Sequence, residues 1–167
     1  MAGRSHRMQR RSGYTLPEVL IAGFLMVLVI GGTLVLYLLY QRMWRSASLR
    51  MESDRLATLA VNRMVYGIGE RRGLRMARAG SVLLEPLGDV GWNLIYVTSN
   101  NQTNRFEYRR ADREIRMQPG SRLVGEHVDD ATAALNPPLV NIAVRVALRE
   151  GRFAASSELS TSVRCRN

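Results

Sequence analysis

Ser12-Gly13-Tyr14-Thr15-Leu16-Pro17-Glu18 opens an apolar run that continues to Tyr40. From Leu16 to Tyr40, Glu18 is the sole charged side chain. At about 1.5 Å per residue, a helix over this stretch reaches roughly 37 Å, enough to cross a ~30 Å hydrocarbon core with some tilt. A helix buried in a soluble core is seldom apolar on every face for so long. A carboxylate at the edge of such a segment is costly in hydrocarbon, so it calls for a compensating partner.

The residues before the run carry Arg4, Arg7, Arg10 and Arg11 and no acid. The run exceeds a secretory h-region of 7–15 residues, and no small-x-small cleavage site follows it. An uncleaved anchor is the other simple reading. Charge counting leaves its orientation open, because Arg42, Arg45, Arg50 and Arg55 flank the far end. Gly23, Gly31 and Gly32 punctuate the span. They fit either close helix approach with local unwinding or ordinary glycine use in a membrane helix.

The helical pattern does not stop at Tyr40. Leu56, Ala60, Met64 and Ile68 recur every four residues, with Val61 and Val65 beside them and Asp54, Arg55, Thr58, Asn62 and Arg63 on other faces. The stop signals are Gly67, Gly69 and the Glu70-Arg71-Arg72-Gly73 turn. A helix from Thr15 to Gly67 would span roughly 80 Å. Clean heptads are lacking, which argues against a coiled coil.

The remaining chain reads as strands. Trp92 to Val97 is one, and Asn100–Asn104 is a polar turn. Phe106 and Tyr108 alternate with Glu107 and Arg109; Ile115 and Met117 alternate with Glu114 and Arg116, making a hairpin around Ala111-Asp112. Ile142, Val144, Val146 and Leu148 share one face of a further strand, and Leu159, Thr161, Val163 and Cys165 mark the last. The turn Asn136-Pro137-Pro138 separates these late strands from the middle segment. The expected class is α+β, with an antiparallel sheet laid on the second half of the helix. The expected organisation is a basic leader over 1–13, a membrane helix over 14–40, its amphipathic continuation over 41–68 and a β-sheet head over 69–167.

All 24 basic residues are Arg, and the net charge is +10, which falls to +6 without the four arginines of the leader. A basic chain invites nucleic acid or anionic lipid as partner. Yet Glu107-Tyr108-Arg109-Arg110-Ala111-Asp112-Arg113-Glu114 interleaves the two signs, as a solvated sheet face does. Cys165 stands alone, so no internal disulfide is possible, and its place in the last strand reads as a packed small residue. His6 and His127 are isolated, no metal-ligand spacing occurs, and Asp129-Asp130 reads as a polar turn rather than a calcium site. No nucleophilic triad, paired-carboxylate site or phosphate loop can be traced, so neither an enzyme nor a cofactor is expected.

Gly13-Tyr14-Thr15-Leu16-Pro17-Glu18 behind a basic leader and ahead of a long apolar run resembles the class III signal of type IV pilins and pseudopilins. The resemblance implies a pilin fold, in which a long helix is packed on an antiparallel sheet. It also implies that prepilin peptidase cuts after Gly13 on the cytoplasmic side and that Tyr14 becomes an N-methylated N-terminus. Thr15 and Leu16 complete the motif, and Glu18 becomes the fifth mature residue, needed for assembly. Tyr14 stands where Phe is commoner, and Pro17 occupies a variable position. In the head, Phe106-Glu107-Tyr108-Arg109, Glu114-Ile115-Arg116, Leu123 to Val128 and the tail Leu159 to Asn167 are similar to minor pilins and J-type minor pseudopilins.

The implied function is that of a minor structural subunit that primes or caps a type IV pilus or a type II secretion pseudopilus. The implied partners are prepilin peptidase/methyltransferase, other pilins or pseudopilins, an inner-membrane platform protein and membrane lipid. The implied location is the bacterial inner membrane, single-pass, with the head outside the cytoplasm. Glu18 has a plainer reading, in which it merely caps the helix start at headgroup level. A DNA-uptake subunit is the alternative function, with Arg109, Arg110, Arg113 and Arg116 on phosphates. A membrane-anchored enzyme or receptor with a fortuitous leader is the third.

Overall fold

In the computed structural model, which describes residues 14–166, the chain is one long helix followed by ten strands. Helix α1 covers Leu16–Tyr66. Two units follow, one ending at Met43 and one beginning at Trp44. In the first, every described residue is exposed. In the second, α1 buries Ser53, Ala57, Ala60, Val61 and Met64. Small side chains here let the helix approach the sheets closely. A Cβ added to Gly125 would lie 2.8 Å from the Ala60 Cβ.

The helix ends at Tyr66, before Gly67, whose φ of 98° favours glycine. The Gly73 N–H then donates to the Tyr66 carbonyl at 3.1 Å. Strands β1 (Gly67–Ile68) and β2 (Arg71–Arg72) form a small ribbon. A 3-10 turn over Leu74–Met76 leads to β3 (Leu83–Pro86). Next come β4 (Gly91–Val97), β5 (Thr103–Arg109), β6 (Glu114–Gln118) and β7 (Arg122–Gly125). The last three are β8 (Val128–Asn136), β9 (Leu139–Glu150) and β10 (Phe153–Arg164).

The α+β class holds: the apolar N-terminal helix packs on antiparallel sheets. The head differs from expectation in having two principal sheets, ordered β3-β4-β5-β6-β7 and β10-β9-β8, beside the β1-β2 ribbon. Pro137-Pro138 also plays another part. It joins β8 to β9 as a two-residue hairpin turn, with Asn136 opposite Leu139, instead of setting the late strands apart. The loop around Ala111-Asp112 takes four residues, 110–113, because Ala-Asp suits a two-residue turn poorly.

The core lies between helix and sheets. Trp92, Leu94 and Tyr96 of β4 meet Phe106 and Tyr108 of β5 and Ile115 and Met117 of β6, all buried. Tyr96 stacks on Phe106 at 5.4 Å, and Trp92 tilts against Tyr108 at 5.8 Å. From the second sheet Val140, Ile142, Val144 and Val146 face inward, with Val163 and Cys165 beside them. The Trp92 indole N–H donates to the Ala131 carbonyl at 2.7 Å and the Tyr108 hydroxyl to the Asp129 carbonyl at 3.2 Å. Two aromatic side chains of the first sheet thus fasten β8 of the second.

Candidate assembly segment and the arginine face

Gly13 and the basic leader lie outside the described residues. Tyr14 and Thr15 precede the helix, and Leu16 begins it. The Thr15 carbonyl accepts from the Glu18 N–H at 3.0 Å and the Val19 N–H at 3.2 Å, closing the first turn. Pro17 sits where an N–H would have no intrahelical acceptor, so it costs the helix no bond. Glu18 is therefore held in the first turn, toward the positive end of the helix dipole. Thr15-Leu16-Pro17-Glu18 has the spacing of a capping box, in keeping with the plainer reading of Glu18 as a cap at the helix start.

Tyr14, Thr15, Leu16 and Glu18 are exposed, as is the whole apolar stretch behind them. Leu25, Leu28 and Ile30 are each more than half exposed. A Cβ added at Gly23, Gly31 or Gly32 would meet nothing within 4 Å. Taken by itself, the apolar part of α1 is long and apolar enough to cross a bilayer, and none of that stretch is buried.

The second candidate set lies on the head. Arg109, on β5, pairs with Glu107 at 2.6 Å and reaches Asp112 at 3.9 Å. Arg116, on β6, pairs with Glu114 at 2.6 Å. Arg110 pairs with Asp130 at 3.1 Å. Arg113 lies 3.7 Å from Asp129 and donates to the Ala147 carbonyl at 2.8 Å. The hydrogen bond to Glu107 raises the Arg109 pKa, and the one to Asp130 raises that of Arg110. Asp129 and Asp130, expected in a turn, are residues of strand β8, where the bulge beside Val128 sets them against Arg113 and Arg110 respectively. The four arginines are thus distributed among carboxylates, which lowers the field any phosphate would meet.

Cys165 is buried, and burial raises its thiol pKa, so it packs as a small apolar residue. Among the described residues no group of His, Cys, Asp and Glu could hold a metal ion.

Comparison with protein-family models, curated proteins and solved structures found no match to this chain.

Proposed function

We propose that this chain is a minor pilin or pseudopilin, a structural subunit of a type IV pilus or type II secretion pseudopilus. The observation that carries the reading is a lone carboxylate, Glu18, in the first turn of an exposed apolar helix, five residues after Gly13. Cleavage after Gly13 would leave an ammonium at Tyr14. Within a filament, the Glu18 of one subunit would then meet the Tyr14 ammonium of a neighbour. In a low-dielectric setting that attraction is strong, and removing one partner of a buried pair costs about 3–5 kcal/mol. The pair would select axial register, while the exposed apolar faces of neighbouring helices and membrane lipid would cover the rest of the segment. The partners in this reading are prepilin peptidase/methyltransferase, other pilins or pseudopilins and an inner-membrane platform protein. The location is the bacterial inner membrane, with the head outside the cytoplasm.

N-terminal sequencing and mass spectrometry of the mature protein test the first half of the reading. A start at methylated Tyr14 supports it; a start at Met1 sinks it and leaves the anchored enzyme or receptor. Glu18→Ala tests the second half. Processing is expected to continue, while incorporation into filaments sheared from cells is lost. Unaltered incorporation would remove Glu18 from assembly. The DNA-uptake alternative requires the head to bind duplex DNA with steep salt dependence, and absence of binding at low salt eliminates it.

A further inference from the structure

Two groups of arginines on the head differ in their company. Those of β5, β6 and the loop between them are paired with carboxylates. Arg71, Arg72, Arg75, Arg78 and Arg122 gather instead around the C-terminal end of α1, and among the described residues none of these five has an ion-pair partner. Four of them lie between Gly67 and Ser81, where Glu70 is the sole acid.

Their contacts join them into one surface. Arg122 opens β7, and its Nη1 donates to the Ile68 carbonyl at 3.1 Å. Gly69 makes room for it: a Cβ there would lie 2.9 Å from that Nη1. Arg71 pairs with Ile68 across the β1–β2 ribbon and donates to the Asn104 Oδ1 at 3.4 Å. The Arg72 carbonyl accepts from the Tyr96 hydroxyl at 2.8 Å and from the Asn104 side-chain N–H at 3.3 Å. The backbone of Arg72 is thereby fixed, while the residue stays exposed and its side chain donates no hydrogen bond among the described residues. The Arg75 guanidinium lies over the Tyr66 ring, 5.6 Å from the centroid. Arg78 donates to the Ser99 carbonyl at 3.3 Å, and the Ser99 N–H donates to the Met76 carbonyl at 3.1 Å. The anchors of Arg71, Arg78 and Arg122 leave most of the five N–H groups of each guanidinium for a ligand.

We infer that this end of the head binds the phosphate backbone of duplex DNA without reading its sequence. Five cations facing one carboxylate supply the attraction that such binding rests on. The turns between the arginines expose Asn100, Asn101, Gln102 and Ser121, whose amides and hydroxyl are of the kind that meet phosphate and sugar oxygens. The centre of a protein interface is instead apolar and depleted of charge. A lipid surface gains much of its hold from apolar side chains that it buries. Tyr66 is exposed here, but its ring lies under Arg75. Cations beside the last turn of α1 also steady the negative end of the helix dipole. Arg72 separates the two uses, because it is exposed and its side chain anchors nothing among the described residues. The inference deepens the DNA-uptake alternative, on which it rests, and moves its site away from Arg109, Arg110, Arg113 and Arg116. It does not depend on processing at Gly13.

Fluorescence anisotropy of a short labelled duplex of mixed sequence, with the full-length chain in neutral detergent, tests this across a salt series. Affinity should fall about 250-fold between 50 and 200 mM salt, a logarithmic slope of about −4 at roughly −0.9 per phosphate contacted. Arg72→Ala should make the slope shallower by about 1 and leave the urea midpoint where it was. Arg72→Lys, which keeps the charge, should restore the slope. Arg72→Glu with Arg75→Glu should abolish binding at low salt. Glu114→Gln with Arg116→Gln, which removes an ion pair of the other group at constant net charge, should cost less than Arg72→Ala. Four results would each overturn the inference: no binding at low salt, binding that survives Arg72→Glu with Arg75→Glu, equal losses from the two groups, or capture of phosphatidylglycerol vesicles in place of the duplex. A lowered urea midpoint in Arg72→Ala with binding unchanged would also overturn it and assign these arginines to the helix end. The N-terminus of the same protein, sequenced in parallel, reports separately on the pilin reading.

Discussion

The two halves of α1 are one helix with opposite environments. From Leu16 to Tyr40 large apolar side chains occur on every face, among a few small residues and Glu18, and all are exposed. From Trp44 to Tyr66 one stripe of the helix is buried, and its residues are mostly small: Ser53, Ala57, Ala60 and Val61, with Met64 the one large side chain. Among the described residues none of the first half is buried, and it is long and apolar enough to cross a membrane. The second half has a surface, and its small residues set how closely the helix seats on it. Amphipathicity thus separates the part of the helix that stabilises the head from the part that does not.

The sharpest way to break that comparison is to truncate one large side chain in each half. Met64 is fully buried, and Met64→Ala should cost the head about 2–5 kcal/mol. Leu25 is more than half exposed, and Leu25→Ala should leave head stability unchanged. Urea unfolding of the full chain in detergent, with Trp44→Phe in both variants so that Trp92 fluorescence alone reports, measures both. Equal losses would mean that the first half of α1 also supports the head.

How much of this was legible depended on whether the deciding neighbours were near in sequence. The helix was, because its pattern is local: an apolar run, then a stripe at every fourth residue, then Gly67. β4 was legible as a compact apolar run at Trp92 to Val97, and alternation announced β5 and β6 at Phe106 to Met117, β9 at Ile142 to Leu148 and the second half of β10 at Leu159 to Cys165, while Phe153 to Glu158 gave no signal. β8 was not. Ala131-Thr132-Ala133-Ala134 is too weakly apolar to announce a strand, and it is fastened by Trp92 and Tyr108, 39 and 21 residues away. The division into two sheets was hidden for the same reason, since strand order is decided by partners remote in sequence. At the candidate site the motif at Gly13–Glu18 stood out, while the Asp129 and Asp130 partners of Arg113 and Arg110 required the fold.

The surface on which the second half of α1 sits is itself two sheets joined by buried polar contacts. Trp92→Phe keeps an aromatic ring but leaves the Ala131 carbonyl without its donor, an expected cost of about 1–3 kcal/mol. Hydrogen exchange should show β8 opening more often in this variant, while the amides of residues 19–40 stay as they were. Unchanged exchange in β8 would mean that the ladder to β9 holds it alone.

The smallest expected effect is a pH dependence confined to the head. Burial raises the pKa of Tyr96 and, less completely buried, of Tyr108. The fold therefore favours the neutral phenol. Its stabilising contribution is complete below the ordinary tyrosine value of about 10 and is lost as pH rises through the higher folded value. The chain has no Lys, and Arg stays protonated, so neither residue type titrates in that window. Cys165 does, shifted upward by burial, and Cys165→Ser serves as its control. In the Cys165→Ser variant, unfolding free energies should be level from pH 8 to about 10 and then decline. Tyr96→Phe should flatten much of the decline at little cost near neutrality. The Arg72 carbonyl that loses the Tyr96 hydroxyl at 2.8 Å keeps the Asn104 side-chain N–H at 3.3 Å. A decline that survives both Tyr96→Phe and Cys165→Ser would assign it to Tyr108, the remaining buried phenol, whose hydroxyl helps to fasten β8.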